Sequence, residues 1–161
     1  MNYQFIAIEG NIGVGKTTFS NMLSGKLGSK LILEEFADNP FLPKFYKNPE
    51  RYAFSLELFF MAERYRQLGE VRDQDLFSKG LVSDYFFVKS KLFAKNNLSD
   101  DELLLFNRLS DIALNNLPKP DLILYLHSNV SRLQQNIQKR GRDYEQDISD
   151  NYLLDIQNKY F

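Results

Sequence analysis

Hydrophobic and polar positions along this chain fall into short apolar runs separated by longer stretches with helical spacing. Residues 3–8, 31–33, 80–83 and 121–126 are the runs, each of strand length and nearly all apolar. That is the pattern of strands buried on both faces, as in a parallel sheet, rather than the alternation of a half-exposed one. Between them, residues 16–27 read as a helix with Phe19, Met22, Leu23 and Leu27 as its apolar positions and Gly28 as its stop. Asp38-Asn39-Pro40 and Pro43 break regular structure, and a long helix follows over residues 50–72. Its apolar residues include Tyr52, Leu56, Phe59 and Phe60 but also Phe54, Leu58 and Met61, so more than one face is expected to be covered. Helices are further predicted over residues 86–95, 100–115, 128–140 and 150–161, the second opened by a Ser99-x-x-Glu102 capping box. Strands alternating with helices predict an α/β chain with a short parallel sheet in three α/β/α layers.

Composition narrows the partners more than the fold. The 161 residues are enough for a single domain, 1–161, with a sizeable core. Twenty basic against 21 acidic residues, scattered in sequence, leave a net charge of −1. No basic patch marks a nucleic-acid or membrane-surface partner, which points to a small molecule instead. The absence of cysteine removes disulfide and thiol chemistry, and there is no apolar run near 18 residues and no signal-like start. A cytoplasmic protein is the expectation. Fourteen Phe and nine Tyr imply generous aromatic burial or a stacking pocket.

The first strand runs into Gly10-Asn11-Ile12-Gly13-Val14-Gly15-Lys16-Thr17-Thr18, a G-x-x-x-x-G-K-[ST] phosphate-binding loop set between a strand and a helix. In that setting glycines let backbone N–H groups converge on phosphate oxygens, and the helix adds its positive N-terminus. Lys16 is then expected to reach the β/γ-phosphates and Thr17 to hold Mg²⁺. Asp84, at the end of the third strand, occupies the place of the carboxylate that supports the metal. Glu34 and Glu35 end the second strand, at the sheet edge where open α/β folds bind ligands. Either carboxylate could orient an attacking hydroxyl. Lys139, Arg140 and Arg142, around Gly141, are candidates for a cationic lid over residues 138–146. His127, the only histidine, reads as a packing or capping residue. Neither D-x-x-G nor an N-K-x-D in usable context is present, which sets aside a GTPase switch.

The loop, Leu33-Glu34-Glu35-Phe36-Ala37-Asp38-Asn39-Pro40-Phe41-Leu42, Phe45-Tyr46-Lys47-Asn48-Pro49-Glu50-Arg51-Tyr52-Ala53-Phe54, Glu57, Arg64 and Arg140-Gly141-Arg142-Asp143-Tyr144-Glu145 together resemble the deoxynucleoside kinases. The likeness is nearest the bacterial deoxyguanosine and deoxyadenosine kinase branch and covers almost the whole chain. It implies ATP-dependent phosphorylation of a deoxynucleoside 5′-hydroxyl, with Mg²⁺, in nucleotide salvage. It implies Glu34 as general base, Tyr46 and Glu145 at the sugar 3′-hydroxyl, and Arg140 and Arg142 on the transferring phosphoryl. Glu57 would face the base, and Arg64 would lie between base and catalytic carboxylate. Asp84 and Lys16 complete the expected site.

Three departures from the family pattern matter. Tyr85 follows Asp84 where many members carry arginine, and Glu57 stands where many carry a base-reading Gln. The family also continues with a fifth strand, so a four-stranded sheet in the order 2-3-1-4 is expected, with a half-built adenine pocket. Because an ionised carboxylate only accepts hydrogen bonds, Glu57 favours guanine, which presents two donors. A nucleoside monophosphate kinase such as thymidylate kinase, or a non-catalytic nucleotide-binding subunit, are the alternatives. The two-sided helix and the residues 103–114 region are expected to pack as a homodimer.

Overall fold

The computed structural model describes residues 3–36, 38–72 and 80–161, so Ala37 of the acidic-aromatic motif lies outside the described residues. Four strands, β1 (Phe5–Gly10), β2 (Lys30–Ile32), β3 (Leu81–Ser83) and β4 (Leu122–Leu126), form one parallel sheet in the order β2-β3-β1-β4. Every residue of β1 is buried. The strand alternates its side chains between two apolar layers, as a period of two requires. Phe5 and Ala7 face a core with Met61, Leu68, Phe87 and Phe106, while Ile6 and Ile8 face Phe19 and Leu23 of the first helix. This is the three-layer arrangement expected from the apolar runs.

The helices are α1 (Lys16–Leu27), α2 (Leu42–Lys47), α3 (Pro49–Arg72), α4 (Lys89–Asn97), α5 (Asp100–Leu114), α6 (Val130–Arg140) and α7 (Asp150–Lys159). Helix α1 ends on Gly28 in the left-handed conformation, and α5 opens on the Ser99/Glu102 capping box. Several expectations are corrected. β1 sits two residues later than expected, because the Asp121 carboxylate takes the N–H groups of Gln4 and Phe5 at 2.8 Å. β2 starts at Lys30, one residue early. Pro43 does not break the chain but lies in the first turn of α2, where its missing N–H costs nothing. α6 starts at Val130, capped by the Asn129 side chain on the N–H of Arg132. Helix α4 begins at Lys89, three residues later than predicted. In α1 only Phe19 and Leu23 pack on the sheet, and Met22 and Leu27 are exposed.

Helix α3 organises the acceptor side of the molecule. Its 24 residues span roughly 36 Å at 1.5 Å per residue. Glu57 and Arg64, seven residues apart, project from nearly one face, since two turns of a 3.6-residue helix return to the same side. Phe54 and Leu58, expected to form a second covered face, are half-buried against the main core of this chain. Helix α5 leaves four large apolar side chains in solvent, Leu104, Leu105, Leu109 and Ile112.

Candidate active site

The C-terminal ends of β1, β2 and β3 converge on one cavity of about 990 Å³. Its walls include Ile12 to Thr18 of the phosphate-binding loop, Glu34, Tyr46, Glu57, Arg64, Asp84, Arg140, Arg142 and Glu145. Residues separated by more than 120 positions thus meet in one space, as the spacing argument requires. Gly10 and Asn11 lie beneath the loop instead of lining the cavity.

The loop is held from behind. Gly10 has φ +144°, and a Cβ there would lie 2.4 Å from the Leu126 carbonyl oxygen, so only glycine lets β1 turn away beside β4. The loop carbonyl of Gly13 accepts from Asn136 Nδ2 of α6 at 2.8 Å, and Asn11 Nδ2 donates to the Leu153 carbonyl of α7 at 2.7 Å. The Tyr160 hydroxyl lies 3.0 Å from Glu9 Oε2 and 3.2 Å from the Gly10 carbonyl. Lys16 arches back over the loop, its Nζ donating to the carbonyls of Gly10 and Asn11 at 2.9 and 2.8 Å. Burial, reinforced by the nearby charge of Lys89, pushes the Lys16 ammonium down to about 7.

At the mouth of the loop, Thr17 Oγ1 donates to Asp84 Oδ2 at 2.6 Å, and Asp84 Oδ1 accepts the Glu34 N–H at 2.7 Å. Among the described residues no group of three His, Cys, Asp or Glu side chains could hold a metal alone. Two hard oxygens beside a phosphate loop nevertheless fit Mg²⁺, which keeps waters and takes its remaining ligands from substrate phosphates.

The two carboxylates after β2 separate completely. Glu35 turns outward, 61% exposed, to Arg66, whereas Glu34 turns into the cavity. Glu34 Oε1 accepts from Arg64 Nε at 2.9 Å and from Arg64 Nη2, and its Oε2 accepts from Lys89 Nζ at 2.7 Å. Burial would raise the Glu34 carboxyl, but these two cations outweigh it and hold it well below the usual carboxylate range. Arg64 also donates to Ser90 Oγ at 2.7 Å, so its fork is fully committed. Tyr85 brings nothing to the cavity; it is buried and its hydroxyl donates to Gln67 Oε1 at 2.6 Å.

Glu57 does not pair with Arg64. Its Oε1 accepts from Asn97 Nδ2 at 2.7 Å, and burial, only partly offset by that bond, pushes its carboxyl up to about 7. Opposite, Glu145 takes Arg140 at 2.5 Å and Arg142 at 3.1 Å, and the Arg142 guanidinium lies 3.7 Å from the centre of the Phe36 ring. Tyr46 stacks on Tyr144 at 6.3 Å, and burial with the neighbouring Tyr152 and Glu145 raises its hydroxyl well above the usual range. His127 is exposed beside Tyr125, with its ring centre 6.4 Å away, and stays outside the cavity.

Lys89 and Asn97 are polar residues that sequence reading missed, as are Ser90 and Asn136. Lys89 and Asn97 both lie on α4, whose polar positions carry no motif, and bond Glu34 and Glu57 respectively. A carboxylate flanked by two cations, a guarded phosphate loop and an arginine cluster on one cavity define a P-loop phosphotransferase. Residues 6–161 match the family profile described as deoxynucleoside kinase, and the chain belongs to that family. It is 41% identical over 158 residues to a deoxyguanosine kinase of Bacillus subtilis, covering 97% of this chain and 76% of that protein. A deoxyguanosine kinase of Dictyostelium discoideum is 34% identical, with 98% of this chain and 57% of that protein covered. The structure of deoxyadenosine kinase from M. mycoides with bound dATP shares the fold, with a TM-score of 0.84 at 24% identity over 98% of this chain and 81% of that one.

Two arginines two residues apart on α3, and therefore on different faces of the helix, have opposite expected energetics. Arg64 is 4% exposed and Arg66 47%. Arg64→Ala leaves a buried carboxylate short of its partner and is expected to cost about 3–5 kcal/mol. Arg66→Ala removes only solvent-screened pairs with Glu35, Glu63 and Glu70, a loss of about 0–1 kcal/mol. Urea unfolding measures both. Because the folded Glu34 carboxyl is depressed, its stabilisation is fully present above its unfolded value of about 4.3 and is lost as pH falls below that. The gap between the two variants therefore narrows in acid.

Proposed function

We propose that this chain phosphorylates the 5′-hydroxyl of a purine deoxynucleoside, deoxyguanosine above deoxyadenosine, from ATP in cytoplasmic nucleotide salvage. The observation that carries the reading is Glu34, a cavity carboxylate at a strand end, facing the phosphate-binding loop across from the lid arginines. Residues 10–18 cradle the donor phosphates, and Lys16 leaves its carbonyl partners for the β/γ-phosphate oxygens. Thr17 and Asp84 would hold Mg²⁺, which neutralises phosphate charge when bound. Glu34 orients the 5′-hydroxyl and accepts its proton; Arg140 and Arg142, in the lid over residues 138–146, leave Glu145 to meet the phosphoryl in flight. Glu145 and Tyr46 then turn to the sugar 3′-hydroxyl, while Glu57 reads the base with Arg64 behind it.

The test is turnover with ATP and each deoxynucleoside, each deoxynucleoside monophosphate, and neither. Lys16→Ala and Glu34→Gln are both expected to lower kcat at least about hundredfold. Glu34→Gln keeps deoxynucleoside binding, since it removes only the proton acceptor. Near-normal turnover of Glu34→Gln beside a dead Glu35→Gln would reverse the choice of base.

Base preference follows the ionisation of Glu57. Above about 7 its carboxylate accepts both guanine donors, N1–H and the 2-amino group; below, the protonated carboxyl donates and accepts, which suits adenine. The unmatched contact costs about 1–3 kcal/mol, roughly ten- to hundredfold. The kcat/KM ratio of deoxyguanosine to deoxyadenosine is expected to rise from pH 6 to pH 8. In Glu57→Gln the ratio is lower and flat with pH; a flat native ratio refutes the assignment.

The chain is proposed to act as a homodimer, with Leu104, Leu105, Leu109 and Ile112 of α5 in the interface. Sedimentation at micromolar concentration is expected to give a dimer, and Ile112→Glu a monomer. A monomeric native protein would dismiss the interface.

A further inference from the structure

Lys89 has no role in the reading so far, although it touches the proposed base directly. It is the first residue of α4, 7% exposed, and its Nζ donates to Glu34 Oε2 at 2.7 Å from the cavity wall. With Arg64 on Oε1, both oxygens of the carboxylate are capped by charge-assisted bonds. A carboxylate so held has little tendency to take a proton, so a general base in this position must shed one cation before it can act. Arg64 is not the one that leaves: its planar fork spans Glu34 and Ser90 together, with Phe60 and Tyr85 rings within 6 Å of its guanidinium. Lys89 is a point charge on a flexible four-carbon stem with a single hydrogen bond among the described residues, beside the ring of Phe93. It also lines the same cavity as Lys16 and the rest of the phosphate-binding loop. The Lys89 ammonium, bonded to Glu34, therefore shares one cavity with the loop proposed to bind the donor phosphates.

We propose that Lys89 exchanges Glu34 for the γ-phosphoryl of the bound donor, so that arrival of the triphosphate is what frees Glu34 Oε2 to receive the acceptor proton. This rests on the kinase reading above. A terminal phosphoryl carries more negative charge than one carboxylate and draws the ammonium more strongly at equal distance. Once released, Oε2 takes the 5′-hydroxyl proton as the 5′-oxygen bonds to phosphorus. The bond from phosphorus to the β–γ bridging oxygen breaks, and its electron pair leaves with the diphosphate. Lys89 meanwhile faces the charge on the moving phosphoryl, which gives the acceptor carboxylate a reason to stay guarded until the donor is present.

The proposal separates donors by their third phosphate. In Lys89→Gln, affinity for the non-hydrolysable β,γ-imido analogue of ATP is expected to fall about ten- to hundredfold, the worth of one charge-assisted hydrogen bond. Affinity for ADP and for deoxyguanosine should stay within about threefold, the scale of an indirect effect. Turnover should fall at least about hundredfold, and Lys89→Arg should recover a large part of it. Calorimetric titration of each ligand gives the affinities, and a thermal melt confirms folding. If Lys89→Gln does not fold, Lys89→Arg and Lys89→Met are read for the same triphosphate-to-diphosphate difference. Equal losses for the triphosphate analogue and ADP, or turnover within threefold of native, overturn the exchange and leave Lys89 as a brace for Glu34. Native turnover of deoxyguanosine is measured first: its absence overturns the kinase reading and this proposal with it, whereas native turnover beside an indifferent Lys89→Gln overturns the proposal alone.

Discussion

One carboxylate holding two buried cations is the constraint from which the acceptor side of this molecule follows. Glu34 comes from the end of β2, Arg64 from the middle of α3 and Lys89 from the start of α4. None of the three could be buried alone, because an unpaired charge in the interior costs several kcal/mol. Their pairing therefore fixes how the long helix and the short one lie against the sheet edge. Ser90, taking the remaining arm of Arg64, and Asp84, taking the Glu34 N–H, close the network and leave its groups satisfied.

The donor side is built on a different principle, backbone geometry braced by side-chain amides. Gly10 allows the chain to turn where β4 is too close for a Cβ, and Gly13 lies against α6, where a Cβ would meet the Leu133 carbonyl at 2.8 Å. Asn136 and Asn11 tie the loop to α6 and α7, so both C-terminal helices report directly on the phosphate site. Glu9, buried one residue before the loop and raised chiefly by that burial, joins the same brace through Tyr160 and the Phe86 N–H. The two halves share walls and one support, Asp84, which takes the Thr17 hydroxyl on one oxygen and the Glu34 N–H on the other.

Opposite charges within the cavity are mostly spent on each other. Arg140 and Arg142 rest on Glu145, Lys89 and Arg64 on Glu34, and Thr17 on Asp84. On the proposed reading a polyanionic donor and a hydroxyl-bearing acceptor would redistribute these pairs apart from Arg64 on Glu34, which is how an enzyme can tie its chemistry to the presence of both substrates. Glu57 stands apart from this exchange. Its partner Asn97 is neutral, and burial rather than an ion pair dominates its titration.

Local sequence alone determined a good deal: the four apolar runs, the phosphate-binding loop between the first of them and a helix, the glycine stop at residue 28 and the capping box at residue 99. These are set by contacts within a few residues, and periodicity or a cap residue carries them. The separation of Glu34 from Glu35 was also legible, since neighbours along an extended strand end point opposite ways. Tertiary structure decided the rest. Whether Met22 and Leu27 find a partner depends on how α1 lies on the sheet, which helical spacing does not record. That Phe54 and Leu58 form a second covered face could be expected, but the core they meet within this chain, with Phe5 and Ala7 of β1 and Phe106 of α5 among its members, is a tertiary matter. Lys89 and Asn97 enter the site because residues 34, 57, 64, 89 and 97 come together only when α3 and α4 pack beside the sheet. Those contacts join positions 30 to 55 apart, and a pairing over such distances is fixed by packing and charge burial in the folded chain, not by the residues on either side of it.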